Sequence, residues 1–447
     1  MLKSHPLGTD RIGKLLFDYS IPAIVAMTAT SVYNIVDRIF IGQGVGPDAI
    51  SGVALTLPFM NMGMAFGALV GAGSAALVSI RLGEKREGEA TKILGNTITL
   101  NIILGITYSI VALFFLEEVL IFFGASRNTL PYAKDFMQVI LAGNVFLHLY
   151  LGLNNIMRAS GYPVKAMMTT LMTVLINLAL APLFIFMFKW GIRGAAFATF
   201  IAQFIGFIYV IIHFVSRRSA IRFKRGTFGL EKRIIMGIFS IGMSPFIIHI
   251  GASGIAILIN RQLVKYGGDF AVGAFGIVNS VIMCVVLTII GLAQGMQPIA
   301  GFNYGAQQFD RVRLVFRQAM IVATVISAFG FLVSEIFPRQ ISMAFTTSEE
   351  IIEPAIFGLR AGLLIFPLIG FQITASNFFQ SIGKAKISVF LSLSRQVLFL
   401  IPALIVVPIF FGLNGVWGAL PIADSFSVLL TFIVYKYKMD KILPVNS

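Results

Sequence analysis

The chain has 447 residues, of which 57% are hydrophobic and only 12% charged, and its mean hydropathy is +0.90. Soluble domains carry about twice that share of charge, so a soluble multidomain protein is excluded and an all-α polytopic membrane protein is expected. The net charge of +15 does not point to nucleic acid, because the basic residues lie in short loops between apolar runs, where they orient a chain in a bilayer.

The opening residues, MLKSHPLGTDRIGKLL, contain no short apolar core followed by a small-residue cleavage site. The first apolar stretch, 15–41, is too long for a signal peptide and is expected to remain as the first membrane helix. Apolar segments broken by Gly, Pro and charge follow at roughly 15–42, 51–80, 93–121, 132–157, 164–188 and 194–216. A second set covers roughly 234–263, 272–302, 314–337, 350–380, 386–410 and 416–437. Each reaches the ~20 residues that a bilayer crossing requires. Cys284 is the single cysteine and lies in an apolar run, which excludes an intramolecular disulfide.

The two sets of six are copies. GAGSAALVSIRLGEKREGEA (71–90) aligns with AQGMQPIAGFNYGAQQFDRV (293–312), and NNIMRASGYPVKA (154–166) aligns at the same offset with SNFFQSIGKAKIS (376–388). A membrane chain built as a tandem repeat is most simply a transporter with its substrate site between the halves. The expected organisation is an N-terminal six-helix lobe at 1–216, a basic linker at 217–233 and a C-terminal six-helix lobe at 234–447. Basic loops of one parity hold Arg81, Lys85, Arg86, Lys92, Arg158, Lys165, Arg311, Arg313, Arg317, Lys384 and Lys386. The linker adds Arg217, Arg218, Arg222, Lys224, Arg225, Lys232 and Arg233, and the termini add Lys3, Arg11, Lys14, Lys436, Lys438 and Lys441. Both termini and the linker are therefore expected in the cytoplasm, with the halves inserted the same way up.

Ionisable groups inside a bilayer cost several kcal/mol unless paired or facing water, so each is a functional candidate. Asp37 is the sharpest. Tyr33 and Asn34 precede it by four and three positions on one helical face, with Thr30 a turn below. At ~1.5 Å per residue, Asp37 lies roughly 7 Å below the outer end of segment 1, Asn177 about 16 Å from that of segment 5, and Thr199 and Gln203 about 9 and 15 Å from that of segment 6. These depths allow one polar pocket in the outer half of the first lobe, able to bind H⁺ or Na⁺ at Asp37; the alternative is that Asp37 pairs with Arg38 or sits in outer-surface water. The matching residue of the second half is Asn260, so the charge is not duplicated. Arg395 in segment 11 either pairs with Asp424 in segment 12 or caps carbonyls. Pro22 and Pro245 occupy matching places in segments 1 and 7 and mark helices expected to bend. Met60, Met64, Asn155, Met283 and Met296, together with Arg395 and Asp424, are candidates to line a cleft for flat amphipathic substrates, because Met adapts to different shapes.

Several stretches resemble the multidrug and toxic compound extrusion (MATE) family: YNIVDRIFIG, SIRLGEKREGEA, RASGYPVKA, WGIRGAAFAT, QPIAGFNYGAQQFDRV, QSIGKAK and SLSRQ. The resemblance covers essentially the whole chain and is nearest to the DinF-like branch that includes MepA-type bacterial exporters. It implies a V-shaped pair of six-helix lobes exporting cationic or amphipathic compounds against an inward H⁺ or Na⁺ gradient; a cell-membrane location, no cofactor and a monomer are the accompanying expectations. It maps the family's helix 1 aspartate onto Asp37, its helix 5 asparagine onto Asn177 and its helix 6 threonine onto Thr199. One departure stands out: the family commonly carries a second acid one turn beyond that asparagine, where this chain has Ala181 in NLALAP.

The expected function is a secondary active cation/drug antiporter. The rivals are a flippase for a lipid-linked precursor, which needs a more basic cavity, and an uncoupled channel or receptor. An enzyme is not expected, since the chain has no HExxH pair, no GxxxxGK[ST] loop and only four histidines.

Overall fold

A computed structural model of the chain describes residues 6–216 and 219–444, and every regular element among them is helical. Lys3, Arg217 and Arg218, counted above among the basic residues, lie outside the described residues. Nine helices among the described residues have the length and apolar character of a bilayer crossing. Six belong to the first half: α1 (Ile12–Gly44), α2 (Leu57–Gly83), α3 (Glu87–Phe114), α4 (Leu130–Ala159), α5 (Pro163–Met187) and α6 (Gly191–Val215). The other three are Lys232–Gly305, Phe309–Ile336 and Ala385–Ile442, and two of these are doubled. Within the first, Gly268 has φ 66° and ψ −165°, and within the last, Gly412 has φ 57° and ψ −135°. Only glycine takes such values readily, so each marks the turn between two crossings. The second half thus reads α7 (232–267), α8 (269–305), α9 (Phe309–Ile336), α10 (Glu349–Gly362 and Phe366–Ser381, bent by 58°), α11 (385–411) and α12 (413–442). These are the twelve crossings in two sets of six that the apolar pattern predicts.

Small residues let these helices touch where water gives no drive for association. In the first half, Gly63, Gly67 and Gly71 form a ladder on α2. A Cβ at these positions would lie 3.4 Å from Asn144 Oδ1, 3.6 Å from His148 Cδ2 and 2.9 Å from Asn155 Nδ2 on α4. Helices α3 and α4 repeat the device in antiparallel: His148 lies over Gly105 and Asn101 over Gly152. The start of α7 joins the same unit, with Gly242 against the Leu69 backbone of α2 and Gly73 of α2 against the Ile238 carbonyl.

Spatial proximity therefore divides the chain into Val25–His249 on one side and Met1–Ile24 with Ile250–Ser447 on the other. The sequence repeat places its boundary at 217–233 instead. One partition follows duplication and the other follows packing. They differ because the first turns of α1 pack with α8: Ser20 Oγ donates to the Leu292 carbonyl at 3.4 Å, and a Cβ on Gly291 would lie 2.8 Å from Ile24. Pro22 and Pro245 lie within five residues of the two points where the packing partner changes.

Gly242→Ala is expected to destabilise the fold by about 2 kcal/mol, since a methyl group there meets backbone that cannot move aside. Gly254→Ala, on the same helix but with nothing within 4 Å, should be neutral or slightly stabilising. Thermal unfolding of the two purified variants in detergent checks the pair.

Candidate functional site

In the first half, α1, α5 and α6 bring three polar side chains into one hydrogen-bonded set. Asn177 of α5 donates through Nδ2 to Thr199 Oγ1 of α6 at 3.0 Å and to the Tyr33 hydroxyl of α1 at 3.3 Å. Tyr33 and Thr199 hydroxyls lie 3.2 Å apart, and Thr199 also donates to the Ala195 carbonyl of its own helix. Asn177 and Thr199 are buried, and Tyr33 is half-buried. One turn along α1 from Tyr33 stands Asp37, only 9% exposed. Its Oδ1 is buried and has no hydrogen-bond partner, and the same holds for Asn177 Oδ1. The site therefore holds two buried acceptors and no donor for either.

Other residues placed near this site on the sequence behave differently. Asn34 is exposed, so the face counted from the wheel is rotated away from the pocket, and Gln203 is half-buried outside the hydrogen-bonded set. Thr30 donates to the Ala26 carbonyl of its own helix. Among the described residues Asp37 makes no ion pair, so the alternative of an Asp37–Arg38 bridge is not what forms. Ala181 is fully buried, in an apolar cluster with Ile41, Phe184, Ile185, Ala195 and Ala198. Hydrocarbon thus occupies the ground where a second carboxylate is expected from the resemblance. Asn260, the counterpart of Asp37, is exposed.

One boundary of the site is a defect in α5. After Pro182, residues Leu183–Met187 form a π-helical turn, in which Phe188 N donates to the Leu183 carbonyl and Trp190 N to that of Phe184. Proline has no N–H to continue the regular ladder, and single π turns absorb such a break by accommodating one extra residue. The turn directs Phe184 and Phe188 against Trp190, with ring centroids 5.0–5.8 Å apart. Gly194 of α6 allows the approach, since its Cβ would sit 3.0 Å from Phe184.

In the second half, a π-helical turn at Ser394–Leu400 interrupts α11. Arg395 within it donates through Nε to Asp424 Oδ1 of α12 at 2.8 Å, with Asp424 almost fully buried. This is the first of the two roles open to Arg395. The adjacent Gln396 packs on Gly251 and leaves its own Oε1 buried without a partner.

The candidate cleft residues scatter. Met64 and Met283 are exposed, and Met60 is half-buried against the core of the first half. Met296 has no exposed surface and so lines no open space. Asn155 Oδ1 accepts from Arg158 Nη2 at 2.5 Å, which fixes that amide as a partner of a buried guanidinium.

The sequence reading missed a second polar seam, between α2, α3 and α4. Asn144 and His148 lie 3.3 Å apart, Tyr108 donates to the Phe59 carbonyl at 2.6 Å, and Asn101 is fully buried with both amide atoms unpartnered. Its signal was present as Asn144 and His148 at i, i+4 and Thr97, Asn101 and Gly105 at the same spacing, none of them an obvious charge and so overlooked beside the acids and bases. Among the described residues no three or more His, Cys, Asp or Glu side chains come together.

Comparison with known proteins gives a consistent picture. The MatE family model matches residues 22–183 and again residues 245–405, once in each half. The multidrug export protein MepA of Staphylococcus haemolyticus (strain JCSC1435) is 27% identical over 428 residues, covering 96% of this chain and 94% of its own. MepA of Staphylococcus aureus (strain MRSA252) is 26% identical over 429 residues with the same coverage. A solved structure of the MATE multidrug transporter DinF-BH, in a ligand complex, superposes with a TM-score of 0.92 at 36% identity, over the whole of both chains. A second, an outward-facing multidrug resistance MATE family transporter of the MOP superfamily, gives 0.93 at 23% identity, again over both whole chains, and at that identity supports the fold alone.

Removing one member of a buried ion pair costs more than the pair contributes. Arg395→Ala is expected to destabilise the fold by about 3 kcal/mol, and the double change Arg395→Ala with Asp424→Asn to recover most of it. Chemical unfolding of wild type, Arg395→Ala, Asp424→Asn and the double variant measures the coupling.

Proposed function

The chain belongs to the MatE family of multidrug efflux transporters, and on that premise we propose that it is a secondary active exporter in which Asp37 carries the coupling cation. It is a multi-pass membrane protein and not an enzyme. The observation that carries the proposal is the orphaned Asp37 Oδ1, buried one turn from the Tyr33–Asn177–Thr199 set.

A buried carboxylate without a donor is expensive while charged. A proton removes the charge and supplies a hydroxyl that can donate to a neighbouring acceptor, so binding it stabilises whichever conformation buries Asp37 more completely. A conformational equilibrium moves only as far as the ligand's affinities for its states differ. Protonation from outside favours the state that encloses the site, and release inside resets it. Drug leaving outward against that inward flow is antiport. The basic loops and termini face the cytoplasm in this scheme. The substrates are small cationic or amphipathic compounds, a reading supported by the similarity to MepA and DinF-BH, both multidrug transporters.

Sodium is the second reading. It is favoured by the oxygens grouped on α1, α5 and α6: Asp37, the unpartnered Asn177 Oδ1, and the Tyr33 and Thr199 hydroxyls. Hard cations take several oxygens of this kind. Against it stands Ala181, which leaves the site a single carboxylate.

Reconstituted vesicles test the scheme with a cationic fluorescent dye. Acid on the extracellular side should accelerate efflux, and Asp37→Asn should remove the acceleration by about tenfold or more, the response to at least ~1.4 kcal/mol of differential affinity. A sodium gradient that drives efflux at equal pH selects the second reading, and indifference to both gradients refutes antiport. Ala181→Asp should raise sodium dependence if a second carboxylate is what a metal ion lacks here.

A further inference from the structure

A groove of about 380 Å³, apart from the site above, runs between α1 and α9. It falls in the ~300–1,000 Å³ range of small-ligand sites. On α1 it is lined by Gly13, Leu16, Phe17, Ser20, Ile21 and Ile24, and opposite by Leu292 of α8 with Gln318, Ile321 and Val322 of α9. Its walls are almost wholly hydrocarbon. Ser20 is already satisfied by the Leu292 carbonyl, which leaves Gln318 as the polar feature. The Gln318 amide oxygen is buried and has no partner, and it lies 3.7 Å from where a Cβ on Gly13 would be. That glycine keeps the end of the groove open.

The two ends differ in chemistry. At the Gly13–Gln318 end, Lys14 and Arg317 are exposed neighbours of the lining residues, and among the described residues neither makes an ion pair. Asp18, a turn further along α1, is exposed and does not neutralise Lys14 by contact. From Gly13 to Ile24 the groove follows α1 for about 16 Å, close to half of a ~30 Å hydrocarbon core. One leaflet's acyl chain has that reach.

We propose that this groove holds a single anionic glycerophospholipid with a hydroxylated headgroup. Its acyl chain lies along Leu16–Ile24 and Ile321–Val322, its phosphate lies between Lys14 and Arg317, and a headgroup hydroxyl donates to Gln318 Oε1. Free phosphate is not the ligand, because most of the site is hydrocarbon that a phosphate cannot use. A zwitterionic lipid fills the same groove without a net charge for the two cations.

Native mass spectrometry tests the assignment on the full chain released from vesicles of equal phosphatidylglycerol and phosphatidylcholine. Wild type should retain one phosphatidylglycerol in preference to phosphatidylcholine. The pair Lys14→Gln with Arg317→Gln should weaken that retention roughly thirtyfold, the equivalent of about 1 kcal/mol for each basic side chain beside an anionic lipid. Ile321→Trp, an exposed residue enlarged into the groove, should abolish retention of either lipid. Lys436→Gln with Lys438→Gln removes the same charge from α12, away from the groove lining, and should leave retention unchanged. Equal retention of the two lipids by wild type, retention unaffected by Ile321→Trp, or an equal loss in the α12 variant would each overturn the assignment.

Discussion

Hydrocarbon offers no hydrogen bonds, so every polar atom at membrane depth must find its partner inside the protein or go without. Most of this chain is built around that constraint. Serine and threonine hydroxyls in the crossings are largely returned to the carbonyl four residues back, as Thr30, Ser79, Thr91, Ser334 and Thr431 illustrate. Glycine ladders bring helices close enough for Asn144, His148 and Asn155 to be enclosed by α2. Against that background of satisfied groups, an unpartnered carboxylate oxygen is a departure with a cost. Asp37 bears that cost one turn from a hydrogen-bonded neutral set in which Asn177 Oδ1 is likewise left without a donor.

The two halves share a helical plan and differ in what they enclose. In the first, three helices contribute Tyr33, Asn177 and Thr199 around a lone acid. In the second, the repeat offset puts Phe399 where Asn177 stands, and Phe399 stacks on Phe426 at 5.8 Å. The charges there, Arg395 and Asp424, neutralise one another at 2.8 Å. Duplication supplied two scaffolds, and among the described residues only the first has a buried carboxylate oxygen without a partner.

The architecture was largely legible in the sequence because span length, loop charge and repeat offset are coarse signals. The apolar runs placed all twelve crossings, but not the shape of α10, where Pro367 has no N–H to offer the Leu363 carbonyl and the helix bends by 58° at 363–365. Nor did they show that a single left-handed glycine, Gly268 or Gly412, makes each of the two tightest turns between crossings. For the site, depth counted along straight helices spread Asp37, Asn177 and Thr199 from roughly 7 to about 16 Å, whereas Asn177 and Thr199 are in hydrogen-bond contact. Azimuth was no more legible. Asn34 and Tyr33 differ by ~100° around α1, and a wheel without known neighbours cannot say which of them faces inward. Met296 shows the same ambiguity of direction: it is fully buried in the core.

The π turn in α5 also determines orientation. It holds one residue more than a regular helix would over the same rise. Everything after it in the chain, from Phe188 to the Trp190 corner, is therefore rotated relative to Asn177 by roughly 100° from where an uninterrupted α-helix would leave it. Deleting a single residue between 183 and 187 would make α5 more ideal and yet swing its aromatic tip away from Gly194 and Phe40. Relatives of this chain should accordingly tolerate changes of side chain in that turn far better than changes of its length.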